Sequence, residues 1–304
     1  MIEVDRAVKR YGAVTAVDEV SFTAQPGAVT ALLGPNGAGK TSLLRMIVGL
    51  TRPDQGRVAA RVDGRAAAPS DLGYLPEERG LYRDAPVLRT LSFFGRLAGL
   101  AAAESDRASQ SWLERLGLTD SARAKVGTLS RGNQQKVQLA AAVLHRPTIV
   151  ILDEPFSGLD PLNQDLFILL VRELCERGAT VLLSAHEMSL VERVADRLVL
   201  LRGGRIALDD DIGELQRRFG AGDVHEIDFS APVTPALLAG HVGVTSVEAV
   251  APGTLRVIAS RPLGEILAAL DLGGVAAVRS GRLSLHDVYV KTVGGAAVTG
   301  GSAP

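Results

Sequence analysis

The stretch Gly34-Pro35-Asn36-Gly37-Ala38-Gly39-Lys40-Thr41 constrains this chain more than any other. Gly34, Gly37 and Gly39 lack a Cβ, so the backbone can take positive φ and turn its N–H groups inward around an anion. A bulky residue there would block that approach. Val29–Leu33 is a short apolar run that reads as a buried strand leading in. Beyond the loop, Leu43, Leu44, Ile47 and Leu50 recur at helical spacing. A strand, a glycine loop and a helix in that order make a phosphate cradle, and the helix N-terminus adds about 0.3–2 kcal/mol of preference for negative charge. Lys40 is placed to reach β- and γ-phosphates and the Thr41 hydroxyl to ligate Mg²⁺. Pro35, Asn36, Ala38 and Ser42 complete the loop.

About a hundred residues later, Thr148–Leu152 is a continuous apolar, β-branched run that suits a parallel strand buried on both faces. Asp153 follows at its carboxyl end, where open α/β sheets place their ligands, and can hold the hydration shell of Mg²⁺. Glu154 is the better candidate to orient or deprotonate an attacking water, an effect worth about 10²–10⁴ in rate. Alone, the two would read as strand-end acids facing solvent. Beside the phosphate loop they indicate ATP and Mg²⁺ as ligands.

A third element lies between the two. Leu129-Ser130-Arg131-Gly132-Asn133-Gln134-Gln135 resembles the signature of ABC-type ATPases, whose usual form is LSGGQ; here Arg131 and Asn133 depart from it. Tyr11 before the loop, Ser157-Gly158-Leu159-Asp160 after the acidic pair, and His186 after the Thr180–Ser184 strand stand in the family's order. The resemblance spans residues 1 to about 215. It implies an α/β fold: a P-loop NTPase core of the ABC type, with an antiparallel β subdomain and a helical subdomain.

In that family two ATPase domains associate head to tail, each ATP lying between the loop of one and the signature of the other. The resemblance therefore implies that Tyr11 stacks on adenine, although a surface tyrosine in the turn before Gly12 is the simpler alternative. Ser130, Gly132 and Asn133 would meet the γ-phosphate of the partner's ATP, close to the start of a helix running from Asn133 to Leu144. His186 would contact the γ-phosphate and the attacking water. Asp160 would cross the dimer interface, and it also suits the N-cap of a helix beginning after Pro161. Glu77 occupies the place where the family usually carries a Mg²⁺-contacting glutamine; its carboxylate offers oxygen but adds negative charge. The Arg79–Arg83 stretch would lie near a membrane partner. The implied partners are an integral-membrane permease subunit and a second copy of this chain, with export the implied direction of transport. A soluble ABC ATPase of translation or DNA repair is the alternative, but the chain has one set of motifs and no zinc or long coiled-coil insertion.

Composition bounds the rest. A formal net charge of −1 over 304 residues lacks the basic excess of a dedicated nucleic-acid binder, so no nucleic acid is expected. No eighteen-residue apolar run and no signal peptide are evident, which predicts a cytoplasmic protein, peripheral on the inner face of the membrane. The single cysteine, Cys175, excludes an intrachain disulfide and reads as a buried small residue.

The chain divides into an ATPase domain over 1–219, with its helical part at about 78–145, and a small α+β module over 220–293. The helical part should contain helices over Val87–Leu100 and Ser105–Leu116. Asp209–Asp211 should precede or cap a helix over Gly213–Phe219. In the module, Val224–Phe229 and Thr254–Ile258 alternate like strands, and Pro235–His241 and Pro262–Leu270 read as short helices. The module weakly resembles the C-terminal extension of some bacterial exporter ATPases, including its close at Leu285–Val290. Residues 294–304 are rich in small residues and expected to be disordered.

Overall fold

The computed structural model describes residues 1–78, 80–219, 223–259 and 274–282, with isolated positions at 261, 264, 265 and 267. The expected helix over Pro262–Leu270, the Leu285–Val290 close and the 294–304 tail lie wholly or mainly outside those residues. The chain forms two compact units, Met1–Asp209 and Asp210–Pro304.

The first unit is built on a six-stranded sheet in the order β10-β9-β3-β8-β7-β6. Its central strands β3 (Val29–Leu33), β7 (Ile149–Leu152) and β8 (Thr180–Ala185) are buried at every residue. They run parallel to one another and to β6 (Leu72–Leu75) and β9 (Arg197–Arg202). Continuous apolar sequence is what a strand covered on both faces requires. β10 (Arg205–Asp211) follows β9 across the Gly203-Gly204 turn.

A second sheet, in the order β2-β1-β4-β5, is antiparallel throughout and comprises β1 (Ile2–Tyr11), β2 (Val14–Ala24), β4 (Gln55–Val62) and β5 (Arg65–Ala66). Ile2, Val4, Val20 and Phe22 from this sheet share one buried cluster with Leu43, Leu44 and Ile47 of α1 (Lys40–Ile47) and with Leu32 and Ile151 of the main sheet. One core thus fixes the phosphate loop between two sheets. α1 stops at Ile47 because Gly49 takes a left-handed backbone, φ 77°, and turns the chain. Leu50, expected on the buried stripe, consequently lies beyond the helix and is 64% exposed.

The helical part contains α2 (Val87–Leu97), α3 (Ala102–Arg115) and α4 (Arg131–Val143). α5 (Pro161–Glu176) and α6 (Met188–Val194) flank the main sheet, and Cys175 is buried on α5. The Asp160 carboxylate accepts the Asn163 N–H at 2.9 Å, so the N-cap expected at this position is present. It lowers the Asp160 pKa, chiefly through that backbone bond.

In the second unit, Asp211 Oδ1 accepts the Glu214 N–H at 3.2 Å at the start of α7 (Ile212–Phe219). All three acids Asp209–Asp211 close β10 immediately before the helix, and of them Asp211 makes this bond to the first turn. A four-stranded antiparallel sheet, β12-β13-β11-β14, follows: β11 (Asp223–Phe229), β12 (Val244–Ala251), β13 (Thr254–Ala259) and β14 (Val275–Arg282). Ile227, Leu238, Leu255 and Val257 form its core. The helix expected over Pro235–His241 is only a 3₁₀ turn at Pro235–Leu237; Gly240 at φ 87° prevents the turn from continuing as a helix.

Candidate functional site

The phosphate loop leaves β3 and enters α1 with Gly37 at φ 80° and Gly39 at φ 101°. The three glycines are needed for different reasons. Gly37 has open space where a Cβ would stand, so only its backbone angle demands glycine. At Gly39 a Cβ would lie 2.2 Å from the Ala16 carbonyl oxygen. Gly34 does not take positive φ, contrary to expectation; its Cβ would sit 2.5 Å from the Leu201 carbonyl oxygen. At Gly34 and Gly39, then, packing of the chain against itself excludes a side chain even before a ligand is considered.

Three side chains converge at the carboxyl end of the sheet. Lys40 Nζ donates to the Gly34 carbonyl at 2.7 Å and stands 3.7 Å from Glu154 Oε1. His186 Nδ1 lies 2.7 Å from Glu154 Oε2. A carboxylate can only accept, so Nδ1 carries the proton in this contact. Glu154 itself has a left-handed backbone, φ 50°, uncommon for a residue with a side chain.

Asp153 is fully buried beside it. Its Oδ1 accepts the Ser184 hydroxyl at 2.6 Å, and Ser184 Oγ accepts the Glu154 N–H at 2.8 Å. Asp153 Oδ2 is buried with no hydrogen-bond partner. A buried carboxylate oxygen left open is costly unless something cationic meets it, and a hard oxygen donor is what Mg²⁺ takes. The donor set therefore fits Mg²⁺, with the Thr41 hydroxyl as the other candidate ligand.

Ser184 was not among the residues singled out from sequence. The available signal was a hydroxyl in an otherwise apolar run, Thr180–Ala185, two residues before His186. Gln138 is a second such residue. Its Nε2 donates to the carbonyls of Pro76 at 2.8 Å and Glu78 at 3.2 Å, fixing the segment that carries Glu77. Glu77 is exposed and lines a cleft with Glu78, Arg83, Arg131 and Ser157.

The signature residues stand apart. α4 begins at Arg131, two residues before the expected start, because Ser130 caps it by accepting the Asn133 N–H at 3.3 Å. Gly132 faces Leu159 and Asn163, next to Asp160. Among the described residues no hydrogen bond or ion pair joins Ser130, Gly132 or Asn133 to the phosphate loop. Tyr11 ends β1, is 46% exposed and has Lys9 Nζ 5.6 Å from its ring centre.

Residues 17–157 match the family model described as "ABC transporter". The chain is 37% identical to an uncharacterized ABC transporter ATP-binding protein, YhaQ, of Bacillus subtilis, over 97% of this chain and 99% of that protein. The chain belongs to the ABC transporter ATP-binding proteins. It is also 40% identical to Nod factor export ATP-binding protein I of Burkholderia thailandensis, covering 67% of this chain and 68% of that protein. Among solved structures it resembles an ATP-binding subunit of an ABC transporter, with 31% identity, a TM-score of 0.66, and coverage of 72% of this chain and 93% of the other. As an ABC ATPase subunit it has the fold expected from the motifs. These relatives are named for transport and do not favour a soluble role in translation or repair. Among the described residues no helix is long and apolar enough to cross a membrane.

Proposed function

We propose that this subunit hydrolyses ATP at the Lys40–Glu154–His186 cluster and that the cycle drives export through a separate membrane subunit. The carrying observation is the Glu154 carboxylate held between His186 and Lys40 beside the open oxygen of Asp153. Backbone N–H groups between Gly37 and Thr41, apart from that of Ala38, which donates to the Pro35 carbonyl at 3.1 Å, hold the phosphates together with Lys40, whose Nζ exchanges its contact with the Gly34 carbonyl for a phosphate oxygen. Mg²⁺, held by Thr41 and Asp153 with Glu77 nearby, would neutralise charge on the phosphates. Glu154 accepts the proton of the attacking water, and His186 positions that carboxylate through its Nδ1–H. Ser184 positions both acids from beneath.

Ser130, Gly132, Asn133 and Asp160 are assigned to the ATP held by a second copy, and Tyr11 to the adenine. Their separation from the chain's own phosphate loop supports a site completed in trans. Glu154→Gln should bind ATP as wild type does while turnover falls about 10²–10⁴-fold; unchanged turnover refutes the assignment of Glu154.

For the membrane subunit we assign an apolar groove of about 400 Å³ lined by Leu72, Tyr74, Pro76, Leu81, Phe94 and Leu97. At this part of the surface Leu97 is 70% and Phe93 46% exposed, with the Phe93 ring edge-on to Tyr82 at 5.9 Å. An amphipathic helix is the natural occupant of such a groove. On this reading the chain works at the cytoplasmic face of a membrane. The full chain, purified from detergent-solubilised native cells, should carry a polytopic membrane protein in equal amount, and Phe93→Asp with Leu97→Asp should lose it. Recovery of ribosomes or repair proteins instead would overturn the transporter reading.

A further inference from the structure

A cavity of about 790 Å³ lies at the end of the main sheet opposite the ATP cluster. Thr148 and Ala179, which line it, immediately precede β7 and β8, whose far ends hold Asp153 and Ser184. One wall is α3, which contributes Glu104, Arg107, Ser111 and Arg115; the opposite wall is the end of α5 with Arg177. Arg146, from the turn between α4 and β7, closes it.

The charges do not cancel. Arg115 and Arg177 share one acid, Glu173, at 2.5 and 3.4 Å. Arg115 also places its guanidinium carbon over the Trp112 ring, 4.6 Å from the ring centre. The guanidiniums of Arg107 and Arg146 make no hydrogen bond or ion pair among the described residues. The lining thus carries four cations and one carboxylate, Glu104; counting also Glu173, the partner of Arg115 and Arg177, an excess of two positive charges remains around one concavity. His145 also lines it, and burial lowers its pKa, so it adds no charge at neutral pH. Planar guanidinium forks match phosphate and carboxylate oxygens two at a time, and the cavity has the volume of a small-molecule site.

We propose that this cavity binds a small polyanion carrying two or more phosphate or carboxylate groups, bridging Arg107 on the helical wall and Arg146 at the edge of the sheet. The site is separate from the phosphate loop. A ligand there ties α3 to the strand layer and therefore raises the melting temperature of the protein it occupies.

The test is isothermal titration of the full chain with its nucleotide site filled by excess Mg²⁺ and ADP. Inorganic pyrophosphate and tricarballylate are titrated separately as the phosphate and carboxylate probes. One-site binding is expected for at least one of them, weakened by added salt, and whichever binds identifies the anion class. The double variant Arg107→Ala/Arg146→Ala should weaken it at least about tenfold and abolish the probe's effect on Tm, with ADP affinity unchanged. Since neither guanidinium is paired, the variant without probe should melt as wild type does. Absence of binding by both probes, or equal binding to wild type and variant, would overturn the proposal.

Discussion

Ser184→Ala is the most informative substitution at the base of the site. The hydroxyl makes two hydrogen bonds, giving its proton to Asp153 Oδ1 at 2.6 Å in a buried contact and accepting from the Glu154 N–H at 2.8 Å in a part-buried one. Its removal leaves both carboxylate oxygens of Asp153 without a partner, since Oδ2 already has none, and orphans one backbone donor. Each such group left unsatisfied costs about 1–3 kcal/mol, so for the two of them about 2–6 kcal/mol is at stake. In a unit of about 200 residues one kcal/mol moves Tm by about 2–4 °C, so a drop on the order of 10 °C is expected. Thermal unfolding followed by circular dichroism reads this directly. Because Mg²⁺ with nucleotide would meet the unpaired charge on Asp153, part of the loss should be recovered when both are added. Turnover should fall by about 10–100-fold, because the backbone at φ 50° that aims Glu154 loses its anchor. If Ser184→Ala melts within about 2 °C of wild type and turns over normally, the serine is not the support described here.

Two further predictions concern buried groups away from the nucleotide. His145 has its pKa lowered from 6.5, chiefly by burial, while its Nε2 meets the Leu72 carbonyl at 3.1 Å. The unfolded chain takes up a proton that the folded chain resists, so this contribution to stability is complete above pH 6.5 and declines as pH falls from there to the lower folded value. Urea unfolding at pH 7.5 and 5.5 should therefore show a loss at the lower pH that His145→Gln reduces; an undiminished loss would assign it to other groups. Burial also pushes the Cys175 thiol up to about 11, so at pH 8 iodoacetamide should modify the native chain far more slowly than the urea-unfolded chain. Equal rates would mean that α5 opens readily at that point.

The sequence by itself determined the chemistry that depends on local order. A glycine loop between a buried strand and a helix, two acids at the end of an apolar run, and a serine before a polar helix start are each readable within a few residues. Their element assignments follow from local backbone rules. Even Asp160 as a cap was legible, since an N-cap and the N–H it satisfies lie three residues apart.

What only the tertiary structure decided are the contacts that cross the sheet. The motifs and the resemblance put Lys40, Glu154 and His186 about one γ-phosphate, but nothing in the order of residues says that their side chains touch one another or that Ser184 bonds to both acids; parallel pairing of β3, β7 and β8 brings these distant positions to one edge. The reason for glycine at 34 and 39 likewise lies elsewhere in the chain, in the carbonyls of Leu201 and Ala16. The exposure of Leu50 and the 3₁₀ turn at Pro235–Leu237 turned on single glycines just beyond an apparent helical pattern, where backbone angle overrides periodicity. The basic cavity left no pattern at all, because Arg107, Arg115, Arg146 and Arg177 come from three separate segments. Spacing along a chain reports neighbours in one element, whereas charge summed around a cavity depends on how elements pack.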